Sequence, residues 1–347
     1  MPKRPTSADV AREAGVSRTT VSFVLNRRTD VKIPEATRAR VLAAAERLDY
    51  HPIVAARQLA AGRSHALALV LRQTPEQVAA DAILAETLRG FASAARTESY
   101  RVLVEPRALD GGATDSYEDL VRGHHADGLV ISGPRIDDPQ LRGLIRDGFP
   151  VVLQGALDGL DVASVDVDNV EGAREAVQHL VALGHQRIAC ITNAPLVYTA
   201  AQQRFDGYIR ALREGDIEPD PDLLETGDFD AASGHRAMSR LLQRTGFSAV
   251  FVASDVVALG AIGALREAGR EIPRQVSVVG FDDIPLAAYF DPPLTTVRLP
   301  AFELGQAAGR ALLDRVAGRA IASRTLLPTE LIVRSSTAPL SSARRRS

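Results

Sequence analysis

Cysteine occurs once in the 347 residues, at Cys190, so no intrachain disulfide framework is available. The apolar neighbours of Cys190, "IACIT", give it the reading of a small buried side chain, and a thiol-poor chain suits a reducing compartment. Long apolar runs are also missing. No stretch approaches the roughly 18 residues needed to span a bilayer, so no membrane partner is expected. The basic start "MPKRPTSADV" has no apolar segment behind it, which argues against a secretory signal and for a cytoplasmic location.

Signatures of catalysis are equally scarce. A dinucleotide fold would place G-x-G-x-x-G after its first strand, and "HALALVLRQTPEQV" has no glycine there. Neither a G-x-S-x-G elbow nor a P-loop occurs, and there is no HExxH pair. His124 and His125 are the one histidine cluster, and adjacent residues on a helix point apart, which argues against a metal pair. The expectation is therefore no enzyme, no cofactor and no metal.

What is present is an uneven charge. Lys and Arg (41) nearly balance Asp and Glu (43) over the whole chain. Residues 1–63, however, carry 12 basic and 6 acidic side chains, a net of +6, and the remainder 29 and 37, a net of −8. A basic head on an acidic body suggests an anionic polymer held by one part of the chain.

The head reads as short helices. Thr6 or Ser7 can cap a first helix with Asp9 in its first turn and Val10, Ala11 and Ala14 on its apolar side. Gly15 permits a tight turn, and Ser17 is a natural N-cap for a second helix. Val21, Val24 and Leu25 fall at i, i+3 and i+4 and form its buried stripe, which leaves Arg18, Thr19, Ser22, Phe23 and Asn26 on the other side. Small residues where two helices cross steeply make this a helix-turn-helix signature. A third helix follows, with Pro34 at N1 and Val41, Leu42, Ala45 and Leu48 at helical spacing. The next segment, "HPIVAARQLAAGRS", suggests one helix from about Ile53 to Ala60, too short to be stable without a partner.

From His65 onward short apolar strands alternate with helices. "HALALVL", "YRVLVEP", "ADGLVIS", "FPVVLQG", "QRIACIT", "SAVFVAS" and "VSVVGFD" read as buried parallel strands; "AILAETLRGFASAAR", "VEGAREAVQHLVALG" and "DVVALGAIGALREAG" read as helices between them. Repeated βα units imply doubly wound sheets with ligands outside the carboxyl ends of the strands. At one such end, Asp282 can accept from two hydroxyls or amines.

The order "TSADVAREAGVSRTTVSFVLN", then "YHPIVAARQLAAGRS", resembles the DNA-binding head and hinge of the lactose-repressor/galactose-repressor family of bacterial transcription regulators. The resemblance continues through "VDNVEGAREAVQHLVALGHQRIACI", "QRFDGY", "FVASDVVALGAIGALREAG", "VSVVGFDDIPLAAYFDPPLTTV" and "LPTELIVRSST", so it covers almost the whole chain. It implies an all-α helix-turn-helix head over 1–50, a hinge helix over 51–63 and an α/β body over 64–340. The body would be two doubly wound parallel-sheet lobes, like periplasmic binding proteins, joined by three crossovers near Val162, Leu294 and Thr325. The first lobe would take 64–162 and 294–324, the second 163–293 and 325–340, leaving a disordered tail over 341–347 with no heptad pattern for a tetramer.

The same resemblance makes Ser17 to Asn26 the recognition helix, with Arg18 and Thr19 reading bases. An arginine can clamp guanine bidentately, worth roughly 1 to 3 kcal/mol of discrimination. Thr6, Ser7, Ser17, Ser22 and Asn26 suit phosphate oxygens, and Leu59 is implied as a wedge in the operator's minor groove. Phe23 stands where many relatives have a long polar residue. Two readings stay open for it: an apolar contact to a thymine methyl, or a spacer packed on the head. In the body the resemblance points to Arg204, Phe229, Ser254, Ser132 and Gln154, together with Asp282, as effector contacts. Ser254 replaces the asparagine of many members, and "RQTPEQVAADAILAET" departs from the family's aromatic segment. Asp166, Asp168 and Asp255 read as structural.

The function implied is a regulator, most simply a repressor, that binds a pseudo-palindromic operator as a homodimer under the control of a small polar metabolite. A sugar fits best, with a purine or other metabolite as corepressor the alternative; the sign of the response is open. The rival reading, a sugar-binding transport module, is disfavoured by the basic head.

Overall fold

The computed structural model describes residues 5–25, 31–50, 63–107 and 117–340, with Glu118 described in backbone only. Asn26, Leu59, the hinge helix and the tail of 341–347 lie outside the described residues. The chain divides into two units, Met1–His65 and Ala66–Ser347.

The first unit is built from α1 (Ser7–Ala14), α2 (Arg18–Leu25) and α3 (Glu35–Arg47). Thr6 caps α1 in a reciprocal box with Asp9, whose side chain accepts from the Thr6 backbone at 2.9 Å. Gly15 ends the helix at φ +64°, a left-handed conformation that suits glycine. Ser17 then caps α2, accepting from the Thr20 amide at 3.0 Å. Val10, Ala11, Ala14, Val21, Val24, Val41, Ala44 and Ala45 form one small core. Two details depart from the sequence reading. Pro34 is the residue before α3, not its first. Leu42 is 49 % exposed because Ala44 and Ala45 take the inward positions.

The second unit holds two six-stranded sheets. Its strands are β1 (Ala66–Leu71), β2 (Arg101–Pro106), β3 (Gly128–Ser132), β4 (Val151–Gln154), β5 (Ala163–Val167), β6 (Ile188–Thr192), β7 (Leu224–Thr226), β8 (Ala249–Val252), β9 (Ser277–Asp282), β10 (Thr295–Arg298), β11 (Arg324–Leu327) and β12 (Glu330–Ile332). The helices are α4 (Pro75–Ala80), α5 (Leu84–Thr97), α6 (Glu118–Arg122), α7 (Pro139–Arg146), α8 (Asn169–Ala182), α9 (Thr199–Glu214), α10 (Ala231–Arg244), α11 (Asp255–Glu267) and α12 (Ala301–Val316). One sheet runs β11-β5-β4-β3-β1-β2 and the other β12-β10-β9-β8-β6-β7. Every pairing is parallel except β10 with β12. The fold class is thus the expected one.

Strand pairing corrects the lobe limits. β5 pairs with β4 and β11, so the first crossover falls after Val167 and not near Val162. β10 pairs with β9, which moves the second past Arg298 rather than Leu294. β11 stays in the first sheet, so the third lies between Leu327 and Glu330, beyond Thr325. The strands that set these limits are short and partly polar, and their apolar pattern is too weak to mark the sheet to which they belong. β2 is likewise an edge strand, with Val104 37 % exposed, instead of the buried strand that its valines suggested. No described helix is long and apolar enough to cross a membrane.

Candidate functional site

In the head, Ser17, Arg18, Thr19 and Ser22 are exposed, while Thr20 and Phe23 are half-buried and Val21 and Val24 face the core. Phe23 is not part of the buried head cluster. The first turn of α2 contains no acidic residue and opens with Arg18, whereas α1 and α3 have Asp9 and Glu35 there. A cation at a helix N-terminus opposes the helix dipole, so this placement favours an anionic partner over helix stability. The hydroxyls of Thr6 and Ser17 are engaged in their own caps, Thr6 donating to Asp9 at 2.7 Å. Those two residues therefore fix the entry of each helix, and Ser22 lies on the exposed face.

In the second unit a cavity of about 140 Å³ lies where the carboxyl ends of both sheets meet. All six residues singled out in the body line it: Ser132, Gln154, Arg204, Phe229, Ser254 and Asp282. Ser132 and Gln154 are the last residues of β3 and β4, and Asp282 the last of β9. Each of these strands is buried along its length and ends in a polar side chain at its carboxyl edge.

Arg204, on α9, is 5 % exposed and held on several sides. Its Nε donates to Asn169 Oδ1 at 2.9 Å, and its Nη1 to the Ala253 carbonyl at 2.7 Å and to Asp282 Oδ1 at 3.2 Å. Its guanidinium carbon sits 3.8 Å from the Phe281 ring centre. The ion pair lies within the second lobe, not between the lobes. Asp282 adopts φ +116°, a conformation rare for a residue with a side chain. Burial pushes its carboxyl up, against Arg204 and a hydrogen bond from Ser254 that pull it down. Ser254 thus retains a polar link where the family's asparagine is absent.

Phe229 is half-buried, at φ +63°, and meets Tyr198 edge to face with ring centres 4.9 Å apart. Tyr198 also clasps the first lobe, since its hydroxyl donates to the Arg72 carbonyl at 2.7 Å and accepts from Arg135 Nη1 at 3.3 Å. Gln77 Nε2 reaches Asp228 Oδ1 across the cleft at 2.8 Å.

Sequence reasoning missed part of this site. Asp166, read as structural, is a cavity residue, 5 % exposed. Its Oδ1 accepts from the Val167 amide and Asn169, while Oδ2 has no partner, and burial raises the carboxyl to about 6. Asp81 also lines the cavity and is pushed up to about 6 by burial, with the charge of Asp282 adding to the shift. Asp168 does cap a helix, accepting from the Glu171 amide at 2.9 Å. Asp255 is structural for another reason than capping. It opens α11 fully buried and accepts from Thr296 Oγ1 at 2.7 Å and the Ile284 amide at 3.0 Å. A larger depression at the amino ends of the second sheet's strands is lined by Arg187 and Arg270. Arg187 is already committed to Gly246, Thr245 and Asp220.

A helix-turn-helix head on a two-lobed body with a cavity onto which polar side chains converge defines a transcription regulator that binds DNA with one unit and a small molecule with the other. Residues 6–52 match the description "Bacterial regulatory proteins, lacI family" and 177–337 a periplasmic binding protein-like domain. The chain is 37 % identical over 340 residues to the transcriptional regulator CelR of Thermobifida fusca, covering 96 % of this chain and 98 % of that protein. It is 34 % identical to the repressor CytR of Escherichia coli K12, covering 96 % and 97 %. Among solved structures it resembles a CelR–cellobiose complex (TM-score 0.74, 35 % identity, 96 % and 100 % covered) and a lac repressor dimer bound to operator and an anti-inducer (TM-score 0.84, 30 %, 97 % and 100 %). The chain belongs to the LacI family. It is a DNA-binding transcriptional regulator and not an enzyme.

Proposed function

We propose that the protein is a repressor that binds a pseudo-palindromic operator as a homodimer, and that a small polar metabolite, a sugar by preference, occupies the cleft and changes operator affinity. It acts in the cytoplasm, on the nucleoid. In this reading Arg18 and Thr19 contact base edges, Thr6, Ser7, Ser17, Ser22 and Asn26 position the head on phosphates, and Leu59 enters the minor groove. Ser132, Gln154, Arg204, Phe229, Ser254 and Asp282 hold the effector.

The observation that carries the reading is the convergence of those six side chains, drawn from both lobes, on one cavity. A ligand touching both lobes binds one lobe arrangement better than another, and a coupling of roughly 1 to 3 kcal/mol changes operator affinity about 5 to 150-fold. The Phe229–Tyr198 pair offers aromatic surface to a ring. Selecting binding sites from random DNA and titrating the selected operator with a metabolite panel tests both halves. Recovery of a two-fold symmetric site whose affinity falls steeply with salt is expected. A protein that binds no DNA, or whose affinity is indifferent to every compound that fills the cleft, would refute it.

A further inference from the structure

Four polar atoms on the cavity wall have no hydrogen-bond partner: Gln154 Oε1, Asp166 Oδ2, Asn193 Oδ1 and Thr199 Oγ1. Their residues are 9, 5, 8 and 7 % exposed, so a molecule enclosed in the cavity, and not bulk solvent, must complete them. Buried polar groups are rarely left this way unless something else completes them. The two amide oxygens and the carboxylate oxygen can only accept, and the threonine hydroxyl can accept as well. The wall therefore asks for donors.

Its charge is lopsided in the same sense. Among the described residues that line the cavity, the carboxylates and cations are Asp81, Asp166, Asp282 and Arg204. Arg204 is the one cation among them, and its Nε and Nη1 are spent on Asn169, Ala253 and Asp282. With Asp282 paired to Arg204, a phosphate or carboxylate brought here would meet the two remaining aspartates, Asp81 and Asp166, and like-charge juxtaposition costs several kcal/mol.

We propose, on the reading that the cleft holds the effector, that the cavity selects for donor-rich ligands without negative charge, and that Asp166, supported by Asp81, is the residue that excludes their phosphorylated or carboxylated counterparts. Asp166 is suited to this because its Oδ1 is anchored by Val167 and Asn169 while Oδ2 stays open to the ligand. Asp81 has a comparable anchor, accepting from the Ile83 and Leu84 amides at 3.0 and 3.1 Å.

The test is calorimetry on the full-length protein with matched compounds: ribose and ribose 5-phosphate, glucose with glucose 6-phosphate and glucuronate, cellobiose and cellobionate, adenosine and adenosine monophosphate. Each is also titrated against the selected operator. Binding is expected for uncharged members, with the anionic partner weaker by about 100-fold. Asp166→Asn, which keeps the shape and the Oδ1 acceptor, is expected to close that gap by about tenfold, and Asp81→Asn serves as a second variant if the first does not fold. An anionic member binding as tightly as its neutral partner overturns the proposal and leaves the cleft reading standing. A gap unchanged in both variants overturns the roles of Asp166 and Asp81. If no compound binds and none moves operator affinity, the cleft reading itself falls and the proposal with it.

Discussion

The two units place their functional groups on opposite sides of the solvation balance. The head exposes Arg18, Thr19 and Ser22 on a helix whose inner face is filled by small apolar residues, so the groups that would meet DNA are hydrated until it arrives. The body buries Arg204, Asp282, Asp166 and Gln154 before any ligand is present. Desolvation in the head is borne at binding, where pairing of its cations with phosphates also releases counterions and makes affinity salt-dependent. In the body it is borne during folding, and part is returned when a ligand supplies the missing partners. Substitutions in the body site are therefore expected to change stability first, and those in the head site to leave stability alone and change recognition.

Arg204 is the strongest case. Replacing it with alanine leaves Asp282 buried without its cation, and breaking a buried pair in this way costs roughly 3–5 kcal/mol. Urea denaturation should show that loss in Arg204→Ala, with Asp282→Asn in the same chain recovering a part of it. A loss below about 1 kcal/mol would show that the pair is not balanced against burial, and the contrast between the units would weaken.

Asp166 gives the next largest effect, with the opposite sign. Burial raises its carboxyl to about 6 in the fold, above the ordinary value of about 3.9. The folded state thus binds protons more readily than the unfolded chain, and ionised Asp166 costs stability above pH 6, a cost relieved as pH falls through 6. Arg204 and Arg324 face it and limit the shift. Asp166→Asn should be more stable than the parent at pH 7.5 by about 1–3 kcal/mol, the difference shrinking by about 1 kcal/mol per pH unit between 6 and 4. Comparing the two proteins at each pH removes the contribution of His179 and His185, whose burial lowers their values and acts in the other direction. A difference that does not change with pH would mean that Asp166 is not the titrating group.

How far the sequence could be read follows the same division. In the head every determinant is local. A cap, a glycine turn and an i, i+3, i+4 stripe lie within a few residues of each other, and Thr6, Gly15, Ser17, Val21 and Val24 all take the parts that those rules assign. Leu42 and Pro34 were misplaced because the third helix has several alanines, and apolar period alone does not fix which of its neighbours faces inward. The body's strand ends were legible through the family resemblance, which brought six residues to one cavity. Asp166 and Asp81 were not, because nothing local separates a carboxylate that caps a helix from one that lines a cleft. The difference lies in which sheet β5 joins and where the lobes meet, and both depend on contacts distant in sequence.

Phe23 carries the smallest expected change in stability. It is half-buried and outside the buried cluster of Val21 and Val24, so Phe23→Ala should cost less than about 1 kcal/mol. If it meets a thymine methyl in the major groove, truncation removes an apolar contact to one base pair of each half-site. Selection from random DNA with Phe23→Ala should then return operators with relaxed preference at one symmetric pair of positions and unchanged preference elsewhere. Arg18→Ala should relax a different pair, at a cost of roughly 1–3 kcal/mol, and serves as the reference for what losing a base contact looks like. An unchanged selected sequence for Phe23→Ala, alongside a measurable loss of stability, would assign the ring to packing on the head. The rule that head residues act on recognition and not on stability would then fail at the one aromatic of α2.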